Sequence, residues 1–140
     1  GEYTERGIKE RNGFGSERFR IEPEFAVKVD RDLGLAGVLM EPTSIVAKAW
    51  DHVERVGRRS NAWSAGNLLV TGSGPIGLLA ALMGRQRGLD VHVLDRNTTG
   101  PKPGLIGDLG AIHHASSETL RDLGFDIVME CTAASPLIAE

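Results

Sequence analysis

The 140-residue sequence has only one cysteine, Cys131, and therefore no means of forming an internal disulfide. It has no apolar run near the ~20 residues that a membrane span requires, and no apolar signal-peptide core at its start. Sixteen Lys and Arg are balanced by nineteen Asp and Glu, and no long basic cluster occurs. These absences speak against a secreted disulfide scaffold, a membrane protein and a nucleic-acid-binding protein, and they favour the cytoplasm.

The most informative segment is a short apolar strand candidate that leads into a glycine-rich turn and an amphipathic run. A second apolar strand candidate follows and ends in Asp95. The turn has the spacing GxGxxG, with glycines at Gly72, Gly74 and Gly77. Asp95 lies 18 residues beyond Gly77, near the ~20 residues found in dinucleotide-binding units. The segment therefore predicts a βαβ unit that binds a dinucleotide, the alternative being a glycine turn that only tightens a strand–helix junction.

Each glycine of this turn has a physical role in binding a pyrophosphate. Gly72 permits the tight turn, Gly74 lets backbone N–H groups approach the phosphates, and Gly77 lets the helix pack closely on the sheet. The N–H groups and the positive dipole end of that helix then face the phosphates. We expect the whole turn to contact the cofactor, namely Gly72, Ser73, Gly74, Pro75, Ile76 and Gly77.

The pattern from residue 67 onward alternates between strands and helices. Strands are predicted at 67–71, 90–94, about 111–114 and 126–130, with helices near 75–87 and 102–109, a loop at 97–103 and a possible short helix at 117–123. This alternation predicts an α/β fold, a Rossmann-like parallel sheet with helices on both faces. A complete Rossmann domain has six strands, and only about four fit here. We therefore expect an incomplete domain that is a piece of a longer protein.

The first part of the sequence is less regular. Residues 18–29 partly alternate between apolar and polar side chains, which predicts short strands. Further along, Glu41-Pro42-Thr43-Ser44 is expected to begin a helix, because proline suits the first helical turn. The apolar face of that helix is predicted to contain Ile45, Val46, Ala49, Trp50, Val53 and Val56.

Taken together, these stretches resemble the medium-chain dehydrogenase/reductase superfamily, and within it the archaeal-type glucose 1-dehydrogenases. The matching segments are residues 3–8, 13–19, 38–44, 68–77 and 126–132. The GxGxxG unit occurs in many families, whereas the segments YTERGI at 3–8 and MEPTS at 40–44 are more specific.

The resemblance implies the cofactor-binding part of a zinc-dependent, NAD(P)-linked dehydrogenase that oxidises a sugar or a polyol. In that family a GroES-like catalytic domain precedes the Rossmann domain. Residues 1–40 are thus expected to be the C-terminal remnant of that domain, and residues 41–140 the first part of the NAD(P)-binding domain. The resemblance also implies zinc and a homo-oligomer in the full-length protein, and no activity in the fragment alone.

Two acidic residues match family positions. Glu41 resembles a carboxylate at or beside the catalytic zinc and the substrate, and Glu5 resembles a sugar-binding acid. From the residues alone, Glu41 could simply favour a helix N-terminus, and Glu5 could be a solvated charge. Ile45 occupies a position where some family members have an acid that contacts the sugar. The substrate could therefore be glucose, a related sugar or a polyol.

The end of the second strand bears on the choice of cofactor. Asp95 can accept hydrogen bonds from the ribose hydroxyls and repels a 2′-phosphate, which favours NAD. Arg96 can bind a phosphate, and Asn97 completes the triplet, so NADP remains an alternative. Cys131 and Thr132 end the fourth strand and are expected near the cofactor, with Cys131 as a small buried side chain.

Two other functions stay open at this point. One is a nucleotide-sensing regulatory domain without catalysis, although the long segment before the first Rossmann strand counts against it. The other is a zinc-free oxidoreductase similar to quinone reductases, which would share this Rossmann half.

Overall fold

The structure, a computed structural model, describes residues 2–134 and contains two compact units, residues 1–37 and 38–140. In the first unit, β1 (Glu5–Arg6) pairs in parallel with β2 (Glu10–Arg11), and a 3-10 turn follows at Pro23–Phe25. A further 3-10 segment, Arg31–Leu39, leads into the second unit. None of residues 2–37 is buried.

The strands predicted within residues 18–29 are absent from the structure, and that prediction is wrong. The only regular element there is the 3-10 turn at Pro23–Phe25. Pro23 has no N–H to donate to a neighbouring strand, and Phe19, Phe25 and Val27 are exposed. Partial alternation forms a strand only where another strand supplies hydrogen bonds and a layer covers the apolar face, and this unit provides neither.

The second unit follows the predicted alternation closely. Its elements are α1 (Met40–Gly57), β3 (Asn67–Thr71), α2 (Pro75–Gln86), β4 (Asp90–Leu94), α3 (Pro101–Asp108), β5 (Ile112–His114) and β6 (Ile127–Glu130). The possible helix at 117–123 is a 3-10 segment, Ser117–Leu120. The predicted loop at 97–103 ends early, because Pro101 begins α3, where its missing N–H costs no helical hydrogen bond.

The four long strands form one parallel sheet in the order β5-β4-β3-β6. From β3 the chain moves outward through β4 to β5, and it then crosses back to place β6 on the other side of β3. The strand order thus reverses between β3 and β6, and open α/β sheets bind ligands at the carboxyl ends of the strands at such a point. The Rossmann-like fold class is confirmed.

The core lies on one face of this sheet. Alternate strand residues point into it because strand side chains have a period of two; they are Leu68, Val70, Val91, Val93, Ile127 and Met129. All three α-helices supply side chains to the same cluster, including Val46, Trp50, Leu79, Ala80, Ala81 and Ile106. On α1 the buried face is narrower than predicted, since Ile45 and Val56 are exposed.

The opposite face of the sheet is covered by fewer elements. Among residues 2–134 no further α-helix covers it, and the crossover from β5 to β6 contributes only the 3-10 segment Ser117–Leu120. No described helix has the length and apolarity that crossing a bilayer requires.

Candidate functional site

The glycine turn lies at the point where the strand order reverses. The chain leaves β3 at Thr71 and turns at Gly72, whose φ of +89° is in the region that favours glycine. A Cβ on Gly72 would lie 2.8 Å from the Thr132 Cγ2 and 3.2 Å from the carbonyl oxygen of Cys131. The ends of β3 and β6 are therefore in direct contact here.

The other two glycines differ in what they touch. A Cβ on Gly77 would overlap the carbonyl oxygen of Gly72, so this glycine lets α2 pack against the turn. Around Gly74, by contrast, an added Cβ would meet no atom within 4 Å, and its backbone is extended with φ −72° and ψ 178°. The protein itself does not require glycine at position 74, which leaves that space open to a ligand.

The start of α2 suits an anion. Gly74 is its N-cap and provides no side-chain cap, and the first turn holds no acidic residue. The first N–H groups of a helix lack intrahelical partners, and the helix dipole adds positive potential there. Open space at Gly74 beside an uncapped helix start fits the pyrophosphate of a dinucleotide.

Asp95 follows β4 and receives donors from three segments. Its Oδ2 accepts hydrogen bonds from the Ser73 N–H (2.8 Å) and the Ser73 hydroxyl (2.5 Å), and it lies 3.3 Å from the Lys102 Nζ. Its Oδ1 accepts hydrogen bonds from the Asn97 N–H (2.9 Å) and from the Asn97 Nδ2 (2.6 Å). Burial alone would raise the pKa of Asp95, but the hydrogen bonds from Ser73 and Asn97 hold that pKa well below its usual range. Asp95 is therefore a firmly ionised carboxylate.

A cleft of about 810 Å³ opens beside this carboxylate. Its lining comes from the glycine turn, the end of β4, the loop after β5 and the end of β6, and consists of Gly72, Leu94, Asp95, Arg96, Asn97, Ala115, Ser116, Ser117, Thr132 and Ala134. Arg96 and Asn97 are exposed at its mouth. The structure thus brings the glycine turn, the 95–97 triplet and Thr132 together at one edge of the sheet.

The turn after β6 is shaped by Glu130. Its carboxylate accepts from the Thr132 N–H at 2.6 Å, from the Thr132 hydroxyl, and from the Ala133 N–H at 3.3 Å. The Thr132 hydrogen bonds lower the pKa of Glu130, while burial, with Glu130 nearby, raises the pKa of the Cys131 thiol. Cys131 is half-buried beside Gly77 and is a neutral, small side chain rather than an activated nucleophile.

The two family-matched acids lie in different units. Glu41 is in the first turn of α1 and is exposed, and Glu5 is exposed in β1. Within residues 2–134, no three His, Cys, Asp or Glu side chains come together as a metal site. The described residues therefore do not form a zinc centre by themselves.

Four residues at or near the cleft were missing from the sequence-based prediction: Ser116 and Ser117 line it, Lys102 contacts Asp95, and Glu130 shapes the turn that carries Thr132. Lys102 stands seven residues after Asp95 in what looked like a loop, Glu130 directly precedes Cys131, and the serines at 116–117 follow a short strand. Polar or charged residues at the end of a predicted strand or shortly after it were the available signal. Their contacts depend on how the crossovers place each strand end.

Comparison with known proteins agrees with this architecture. Residues 34–140 match the family described as glucose dehydrogenase C-terminus. The chain is 36% identical over 137 residues to glucose 1-dehydrogenase of Metallosphaera sedula, covering 93% of the chain and 38% of that relative. It is 34% identical over 141 residues to glucose 1-dehydrogenase 2 of Vulcanisaeta moutnovskia, covering 100% of the chain and 40% of the relative.

Solved structures give the same result. Glucose dehydrogenase from Haloferax mediterranei superposes with a TM-score of 0.80 at 29% identity, covering 91% of this chain and 39% of that one. Galactitol-1-phosphate dehydrogenase from Escherichia coli superposes with a TM-score of 0.69 at 25% identity, covering 94% and 38%. The chain spans about 40% of the length of its curated relatives. The resemblance found in the sequence is confirmed, and the chain belongs to the glucose dehydrogenase C-terminus family.

Proposed function

We propose that this chain is the nicotinamide-dinucleotide-binding part of a longer, zinc-dependent dehydrogenase that oxidises a sugar or a polyol. The observation that carries the proposal is the open space at Gly74, beside an uncapped helix start at the reversal of strand order. Relatives named glucose 1-dehydrogenase and a structural neighbour named galactitol-1-phosphate dehydrogenase support the substrate class.

Each part of the site has its own task in this proposal. The N–H groups around Gly74 and Ile76 hold the pyrophosphate, and the cleft beside Asp95 receives the adenosine end. Cys131 and Thr132 lie beside Gly72 at the end of β6 and are assigned to the cofactor-binding residues. The bound cofactor supplies the hydride acceptor, while these residues bind and orient it.

NAD is the favoured cofactor, with NADP as the alternative. Asp95 places a negative charge at the end of β4, where the 2′-phosphate of NADP would come near. Arg96 is exposed beside it and supplies a positive charge that lessens this repulsion. The proposal is therefore a preference for NAD and not an exclusion of NADP.

The metal and most of the substrate pocket are assigned to other parts of the longer protein. Glu41 is proposed to lie at or beside the zinc and the substrate, and Glu5 to bind the sugar. Both side chains are exposed and able to meet groups outside this chain. We also propose that the full-length protein is a homo-oligomer, as the family resemblance implies. A cytoplasmic location is proposed because the single cysteine gives no sign of an oxidising compartment.

The test replaces Gly74 by valine in the full-length protein. Residue 74 has extended backbone that valine adopts readily and that suits the position before Pro75, so the fold is retained while the new methyl groups fill the phosphate space. Gly124→Val is the matched control, because a Cβ at Gly124 also meets nothing within 4 Å. Calorimetry with NAD and NADP is expected to show binding in wild type and in the control only. Undiminished binding by Gly74→Val would contradict the phosphate-loop assignment.

A further inference from the structure

We propose that Lys102 tunes the cofactor preference of this site by offsetting part of the charge of Asp95, whose carboxylate also anchors the surrounding protein. The inference rests on the proposed binding of a nicotinamide dinucleotide and adds a specificity residue to it. The ligand group concerned is the 2′-phosphate of NADP, because Lys102 lessens its repulsion by Asp95.

The acceptor capacity of Asp95 is already used. An ionised carboxylate offers about four lone-pair sites, and five donor atoms lie within 3.3 Å of the two oxygens of Asp95. Two of them belong to Ser73 in the glycine turn and two to Asn97, and the fifth is the Lys102 ammonium. A ribose hydroxyl would have to displace one of these donors to bind.

These hydrogen bonds give Asp95 a mechanical role. Ser73 lies between Gly72 and Gly74, so the carboxylate ties the phosphate loop to the loop after β4. His113 adds a third connection from β5, since its Nε2 donates to the Asp95 carbonyl oxygen at 2.7 Å. Asp95 therefore holds the glycine turn, which is the proposed phosphate loop, in place through its hydrogen bonds with Ser73.

The charge of Asp95 still acts on whatever enters the cleft, because a protein hydrogen bond does not cancel a formal charge. Its side chain is only 9% exposed, so water screens that charge less than at the surface. Lys102, 3.3 Å away, supplies the compensating charge. The pair therefore repels a 2′-phosphate less strongly than a bare carboxylate would.

Lys102 is held in a regular element. It lies in the first turn of α3, directly after Pro101, whose fixed φ favours the start of a helix. Its side chain is 38% exposed, and its ammonium meets Asp95, which lines the cleft. The ammonium is thus placed by the fold at the carboxylate.

The experiment uses the full-length protein and removes this charge with Lys102→Met. Dissociation constants for NAD and NADP are measured by calorimetry. The variant is expected to bind NADP about tenfold more weakly while NAD affinity changes by less than about twofold, because only NADP meets the uncompensated carboxylate with an added phosphate. An unchanged ratio of the two constants would overturn the inference.

The controls separate charge from structure. Lys48→Met removes the same charge from an exposed position on α1 and is expected to leave both constants unchanged. Lys102→Arg keeps the charge and is expected to retain NADP binding. If Lys102→Arg loses NADP binding as fully as Lys102→Met, neutralisation by charge is contradicted.

A double variant tests whether Lys102 acts through Asp95. If it does, Asp95→Asn/Lys102→Met has the same NADP-to-NAD ratio as Asp95→Asn alone, because no carboxylate charge remains to be neutralised. If the ratio still falls about tenfold, Lys102 binds the phosphate directly and the proposed route is wrong. Wild-type protein that binds neither cofactor would overturn the proposed function itself, whereas wild-type binding with an unaltered ratio in Lys102→Met overturns only this inference.

Discussion

The two units of this chain both contain many apolar residues, but they differ in how far those residues are buried. Residues 2–37 contain no buried side chain, although apolar residues such as Phe25, Val27 and Leu35 are frequent there. The second unit buries a continuous cluster of valine, leucine, isoleucine and alanine beneath three helices. Apolar content therefore does not create a core unless several elements share one face.

Pairing explains the difference. In the second unit each long strand has a neighbour, and residues spaced by two enter a face that helices cover. Among residues 2–37 only β1 and β2 pair as strands, over two residues each, and a two-stranded pair is at best marginally stable by itself. The same local alternation is thus decisive in one unit and without effect in the other.

The largest effect is expected from a matched pair of leucines, one in each unit. Leu68 is 0% exposed in β3, and Leu35 is 95% exposed. In the 140-residue chain Leu68→Ala is expected to lower the free energy of unfolding by about 2–5 kcal/mol, and Leu35→Ala by less than about 0.5 kcal/mol. Urea unfolding followed by tryptophan fluorescence measures both. Equal losses would break the contrast between the units.

An intermediate effect is expected from a matched pair of aspartates. Asp95→Asn weakens contacts among three segments and should cost about 1–2 kcal/mol at neutral pH. Within residues 2–134, by comparison, the Asp30 side chain has one hydrogen bond, a local one of 3.1 Å from the Asp32 N–H, that Asp30→Asn would affect. The change at Asp30 is expected to stay within about 0.5 kcal/mol.

The pH dependence gives the Asp95 prediction a second test. Because hydrogen bonds lower the pKa of folded Asp95 below its unfolded value, its contribution is fully present above about pH 4 and is lost as the pH falls through the folded pKa. The stability difference between wild type and Asp95→Asn should therefore narrow from pH 5 toward pH 2. A constant difference across that range would assign the loss to packing.

The smallest effect is expected on the solvent face of α1, which belongs to the second unit. The Arg55 Nε lies 2.8 Å from the Asp51 Oδ2, but both side chains are largely exposed. Arg55→Gln is expected to change stability by less than about 0.5 kcal/mol, as in the first unit. If thermal unfolding shows a larger loss of stability, then a residue's location in the second unit, and not its burial, determines how much stability a substitution removes.

Much of the fold could be predicted because strong local signals agreed with each other. Residues 67–71 and 90–94 are short apolar runs bounded by glycine or charge, and both are strands at those bounds. The prediction of strands within residues 18–29 was wrong because no neighbouring strand pairs with this segment. The glycine turn was recognisable because turn geometry depends on residues close in sequence, whereas the link from Ser73 to Lys102 joins residues 29 apart.

The sequence by itself determined the βαβ alternation, the GxGxxG turn with its positive-φ glycine, and the acid at the end of β4. Those features follow from local backbone preferences and from periods of two and 3.6 residues. Only the tertiary structure decided that β6 returns beside β3, that Thr132 closes on Gly72, and that the Asp95 carboxylate is shared by Ser73, Asn97 and Lys102. These contacts depend on strand order and helix placement, which are set by burying one common face of the sheet.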